Sequence, residues 1–183
     1  VFFCFVAQEE IEMSQVTVSP VTDSAIKDLR AKISSIRFGM LTTLNDDQSL
    51  SSRPMTQQAL EDSGILWFFI SDNSQLATDI NRHPKINVTF AKPSDSVYVA
   101  ISGHAEVIKF KEKAAELWNP TVAAWFPEGL DDPHLSLIKL SIYSAEYWDS
   151  RTNKMMQIFA NAKAAIIGEP PIDISHHQKI DFK

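Results

Sequence analysis

The residues best suited to chemistry stand in two short stretches, "SSRPM" at residues 51–55 and "SDNSQ" at residues 71–75. Arg53 offers a planar fork of donors that matches an anionic oxygen pair such as that of a phosphate. Ser71, Ser74 and the backbone N–H groups of a helix starting just beyond them supply neutral donors to the same anion. Pro54 forces extended backbone on Arg53 and removes one ladder donor, which places the arginine near a strand irregularity or edge. If the strand carrying Arg53 pairs with the strand ending at Ser71, guanidinium and hydroxyls face one site. The plainer account is that Arg53 lies on a solvated face and that Ser71 or a neighbour caps the helix.

Other chemistries find little support. There is no nucleophile elbow, phosphate-cradling glycine loop, dinucleotide fingerprint or His-Glu-x-x-His. His83, His104 and His134 fall in separate segments, and the adjacent His176 and His177 lack the spacing that puts two imidazoles on one helical face. No metal site is expected. With one cysteine, Cys4, the sequence has no pair for an internal disulfide and no cysteine cluster for a metal, and a reducing cytoplasm is the natural setting.

Regular elements must hold Arg53 and the serines in place. Ala25, Ile26, Leu29, Ile33 and Ile36 recur at helical spacing over residues 22–36. Two β segments flank the turn at residues 45–48, and "GILWFFIS" forms a third after the turn at residues 61–64. Leu76, Ala77 and Ile80 share a helical face that Pro84 terminates. "KINVTFAKP" and "SVYVAISGHAEVIKF" read as strands, the second with a bulge or bend at Gly103. A helix through Leu117 stops at Asn119-Pro120, and a second apolar turn, with Trp125 and Phe126, ends at Pro127. Together with Trp118 these aromatics suit helix packing or a lid over a cleft. "HLSLIKLSIYSAEYWDS" is a last long strand, residues 153–168 a closing helix, and "PPIDISHHQKIDFK" a loosely attached arm. About six strands with helices inserted at their connections predict an α+β, mainly β protein on an antiparallel barrel.

The 183 residues, 44% of them hydrophobic, suit one domain at residues 22–168, with an N-terminal extension at 1–21 and a tail at 169–183. A formal charge of −6 supplies no excess of cations for nucleic acid or an acidic membrane. The apolar "VFFCFVA" has no basic flank and is too short to span a bilayer, so Met13, followed by polar "SQVTVSP", is the expected start.

The ordered segments "RFGMLTT", "SSRPM", "GILWFFISDNS", "INVTFAKPSDSVYVAISGHAEV" and "SAEYWDS" resemble the pyridoxamine 5′-phosphate oxidase-like FMN-binding split barrels, particularly the bacterial general stress protein branch. The resemblance spans roughly residues 26–154. It implies a six-stranded antiparallel Greek-key split β-barrel with peripheral helices, forming a homodimer with FMN at the subunit interface. By the same resemblance, Arg53 lies near the flavin phosphate and ribityl chain, and Pro54, Met55 and Thr56 run along the isoalloxazine. Phe69, Ile70 and Ser71 belong to a neighbouring strand, Ser74 and Gln75 to the phosphate end, Trp148 to the dimer seam, and Tyr98 to the partner's side.

Two departures concern the phosphate. Ile70 stands where the family often has threonine, and Leu76 where it often has lysine. The substrate-holding segment of true pyridoxamine phosphate oxidases is matched only by "KMMQI" at residues 154–158. Lys154 keeps a charge there, but Met156 and Ile158 replace neither an imidazole nor a guanidinium. The expectation is a cytoplasmic FMN-dependent oxidoreductase acting on an unidentified small molecule rather than vitamin B6, with no nucleic-acid or membrane partner. The rivals are a non-catalytic flavin-binding, storage or sensing protein, and a dimeric interaction module that has lost its ligand.

Overall fold

β-Branched and aromatic residues in two-residue alternation dominate the middle of the chain, and they form one curled, mainly antiparallel sheet. The structure, a computed structural model, describes residues 17–20, 23–149 and 176–182. The elements are β1 (Thr17–Pro20), α1 (Asp23–Ser34), β2 (Gly39–Leu44), β3 (Leu50–Met55), β4 (Gln57–Leu60), β5 (Ile65–Ser71), α2 (Gln75–Arg82), β6 (Lys85–Lys92), β7 (Val97–Ile108), α3 (Lys111–Leu117), α4 (Pro120–Ala123), β8 (Leu135–Asp149) and β9 (His176–Asp181). The sheet runs β1-β9-β8-β7-β6-β2-β3, and β8 also pairs with β5, which carries β4.

All six expected strand segments form, but the second breaks at Thr56 into β3 and β4, and β1 and β9 are added. The break corrects the expected pairing. β3 pairs with β2, with Arg53 opposite Leu41, whereas β5 pairs with β4 and β8. Each strand takes the partner that its tight turn delivers. Asn45 and Gln48 close β2 onto β3, while Glu61 and Gly64, the latter at φ 79°, close β4 onto β5. Thr56 falls in neither ladder, so the run from β3 into β4 passes from one part of the sheet to another.

Gly103 sits at the expected bulge. Ser102 pairs with Ser144 and Gly103 with Ile142, which leaves Tyr143 as the extra residue. A Cβ on Gly103 would stand 2.5 Å from the Ser141 carbonyl oxygen, so the close approach of β8 requires glycine. Beside this bulge β8 changes its second neighbour, pairing with β5 over residues 135–141 and with β9 over residues 144–149. The end of the supposed loose arm is therefore a strand. β9 lies between β8 and β1, and Ile180 is fully buried in the core. The expected helix at residues 153–168, Lys154 and Met13 lie outside the described residues.

The sheet curls around a large apolar core in which Leu41, Leu66, Phe68, Phe90 and Ile101 meet Leu29 and Ile33 of α1 and Ile80 of α2. A smaller cluster lies on the other face of β5, where Trp67 and Phe69 meet Leu135, Leu137, Ala114, Val122 and Phe126. Among the described residues no helix is long and apolar enough to cross a membrane.

Candidate functional site

The break at Thr56 and the end of β5 bound a cavity of about 610 Å³. Pro54, Met55, Thr56 and Gln58 line it from β3 and β4, and Phe69, Ile70 and Ser71 from β5. Ser74 and Leu76 lie at the start of α2, Thr121, Val122, Trp125 and Phe126 around α4, and Arg37 and Phe38 ahead of β2. The wall is predominantly apolar with polar groups at its ends, the composition that suits a planar organic ligand.

Local chemistry fixes each side. Ser74, in extended conformation, is the N-cap of α2, and its Oγ accepts from Ala77 N at 3.2 Å. The cap is thus Ser74 rather than Ser71, whose Oγ donates to Asn73 Oδ1 at 2.8 Å. The first N–H groups of α2, at Gln75 and Leu76, precede any intrahelical acceptor and point out of the helix start. At α4, Asn119 Oδ1 accepts from Thr121 N and Val122 N, while its Nδ2 donates to Gln58 Oε1 at 2.8 Å. Gln58 Nε2 in turn donates to the Thr56 carbonyl at 3.0 Å, which ties the helical arm to the cavity floor. Phe69 meets Trp118 edge-on with ring centres 5.9 Å apart.

Arg53 stands between this cavity and a smaller one of about 410 Å³ lined by Asn45, Asp46, Asp47, Ser51, Gln75 and Asp79. Its Nη2 lies 3.4 Å from Asp79 Oδ2, and Gln75 Nε2 donates to Asp79 Oδ1 at 2.7 Å. Asp79 is buried in α2, and sequence reading missed it. The available signal was Gln75 four residues earlier, a spacing at which amide and carboxylate meet on a helix. Arg37 was also missed. Its guanidinium lies over the Phe38 ring, 5.0 Å from the ring centre.

At the opposite rim, the loop after β5 is stapled to the start of β8. Asp72 N donates to the His134 carbonyl at 3.0 Å, and the Asp72 carboxylate meets His134 Nδ1 and Lys109 Nζ. Hydrogen bonds from Lys109 and then His134 hold the Asp72 carboxyl below its ordinary range. Among the described residues no group of His, Cys, Asp and Glu is arranged to hold a metal ion.

Of the residues singled out in the sequence, Arg53, Pro54, Met55, Thr56, Phe69, Ile70, Ser71 and Ser74 meet on the large cavity. Gln75 lines the smaller one. Tyr98 and Trp148 face each other across β7 and β8 and line neither cavity. Arg53 and Ser71 share a site without sharing a ladder, because the bend at Thr56 brings β3 toward the end of β5.

Residues 24–172 match the family model described as pyridoxamine 5′-phosphate oxidase like. The chain belongs to that family. A general stress FMN/FAD binding protein from the phytopathogen Xanthomonas citri is 30% identical, with a TM-score of 0.61 over 70% of this chain and 90% of that one. General stress protein 26 from Bacillus anthracis shares the fold at 24% identity and a TM-score of 0.60, over 67% of this chain and 92% of that one. Protein bli-3 of Neurospora crassa is 28% identical over 158 residues, 81% of this chain and 76% of its own length. Within this family frame, the two departures noted in the sequence, Ile70 and Leu76, both lie on the cavity wall and are buried.

Proposed function

We propose that the large cavity binds FMN, that two chains pair to complete the site, and that the protein is a cytoplasmic flavin-dependent oxidoreductase for a small molecule. The observation that carries this reading is the placing of Arg53 and the donor-rich start of α2 together on a mostly apolar cavity of about 610 Å³. Such a cavity fits a ligand with one anionic end and one flat aromatic end. The relative from Xanthomonas citri, named as an FMN/FAD binding protein, supports flavin as the ligand class.

In this reading Arg53, Ser71, Ser74 and the first N–H groups of α2 hold the phosphate. Met55, Phe69 and Phe126 supply apolar surface for the ring system, and Val122 and Trp125 exclude water from one side. Thr56 has its carbonyl engaged by Gln58, and as a residue outside both ladders it offers its N–H to a ring acceptor. A bound flavin supplies the electron transfer, and these residues orient it and set its polarity. The proposed dimer draws support from exposed Met40, Leu50 and Tyr98, apolar surface available to a second copy. In it, Tyr98 and Trp148 lie at the partner's site.

The test is the visible spectrum of the purified protein, then titration of the stripped protein with FMN. A bound yellow chromophore released as FMN supports the reading, and a colourless protein with no thermal shift in saturating FMN overturns it. Arg53→Ala should weaken FMN by about 1.5–3 kcal/mol, the scale of a charge-assisted bond, and Ser74→Ala by less. Anaerobic reduction by NAD(P)H followed by rapid reoxidation in air separates an oxidoreductase from a flavin store.

A further inference from the structure

The large cavity has an anion end whose cation is already shared. Asp79 has a side chain only 6% exposed and sits in α2 directly behind the 29% exposed Arg53. Its two oxygens are used differently. Gln75 holds Oδ1 at 2.7 Å, whereas Arg53 approaches Oδ2 at a looser 3.4 Å. The other carboxylates of the smaller cavity have different partners, Asp46 with Arg82 and Asp47 with Ser49. Of these three, Asp79 is the one that touches Arg53.

A buried carboxylate beside a guanidinium offsets much of its charge, and low water access keeps that offset from being screened. Gln75 limits the effect by occupying one oxygen. Around the ligand side of Arg53, Ile70 and Leu76 contribute no charge and no hydrogen-bond donor side chain, and the cavity's other guanidinium, Arg37, lies over the Phe38 ring.

Resting on the flavin reading, we propose that Asp79 is a specificity-determining residue: it holds back part of the Arg53 charge, so that the cavity prefers phosphorylated over unphosphorylated flavin less strongly than an unshared Arg53 would make it. Gln75 tunes this by holding one oxygen of Asp79 away from Arg53. Asp79 thus acts through Arg53 without touching the ligand.

The experiment measures the affinities of the stripped full-length protein for FMN and for riboflavin, and reads their ratio. Asp79→Asn keeps the shape and the Gln75 contact while removing the charge. It should raise the preference for FMN about tenfold, equal to ~1.4 kcal/mol. Gln75→Ala leaves both oxygens to Arg53 and should lower that preference. Asp46→Asn, in the same small cavity but paired with Arg82, should leave it unchanged. A loss of general fold integrity weakens both ligands together and does not move the ratio. An unchanged or lower FMN preference in Asp79→Asn overturns the proposal. If that variant does not fold, Gln75→Ala decides, and an unchanged or higher preference there overturns it. Failure of the wild-type protein to bind either flavin overturns the flavin reading and this inference with it, whereas binding of both with a ratio unmoved in both variants overturns this inference alone.

Discussion

Phe68 and Phe69 are successive residues of β5, and both are buried, yet they belong to different interiors. Phe68 points into the curl of the sheet among Leu66, Ile101 and Leu140, where strands and α1 surround it. Phe69 points outward to a cluster roofed by α3 and α4, and one side of that cluster is the cavity wall. The first interior is sealed by backbone ladders. The second is held by a short helical arm through Asn119, Gln58 and a few aromatic contacts. A strand buried on both faces lets one element be rigid on its inner side and bind on its outer side.

Substitutions that distinguish the two interiors should differ in kind as well as size. Phe68→Ala should cost about 3–5 kcal/mol of unfolding free energy, because it empties a fully enclosed site. Phe69→Ala should cost about 2–3 kcal/mol, losing the edge contact with Trp118 but relaxing toward the cavity. It should also reduce ligand binding, which Phe68→Ala, in chains that remain folded, should affect much less; denaturant melts and titrations together read both effects.

Acid should loosen the arm before the sheet. Burial raises the Glu61 carboxyl, but bonds from Lys113, Trp67 and Ser63 outweigh it, so its folded value lies below the ordinary one. The stabilisation is therefore present above about pH 4.5 and fades as pH falls through the depressed folded value. At partial exposure it amounts to about 1 kcal/mol or less. Tryptophan fluorescence should change at milder acidity than far-ultraviolet circular dichroism; coincident transitions break the distinction. Trp125→Ala should shift stability by no more than about 0.5 kcal/mol, since the residue is 80% exposed, while still altering ligand affinity at the cavity rim.

What the sequence disclosed followed the range of the interactions. Pro84 after the end of α2 and Gly103 at the bulge are local matters, and residue type and position announce them, as they announce a cap within residues 71–74 without deciding between Ser71 and Ser74. The resemblance to the family assigned Arg53, Ser71 and Ser74 to one site, and the three residues line one cavity. Pairing required more, since both hairpins satisfy local rules and only the bend at Thr56 decides which surface Arg53 shares. Asp79 was passed over in the sequence, where only the apolar face of its short helix stood out. Arg53, brought from β3, and Gln75 cover its carboxylate, and the first of these is a long-range circumstance that helical periodicity does not encode. β9 was hidden for a similar reason. Its "HHQKID" has little apolar content, and its place rests on backbone pairing with β8 and β1.

That placement bears on the order in which the chain can be finished. β1 runs parallel to β9, with Thr17 beside Gln178 and Pro20 beside Asp181, and among the described residues it has no other ladder. During synthesis, residues 17–20 leave the ribosome before residues 178–181 and must wait for them before they have a strand to join. The first strand of the sheet is thus sewn in only after the strands that precede β9 in the chain, and its closure reports that residues 178–181 have arrived.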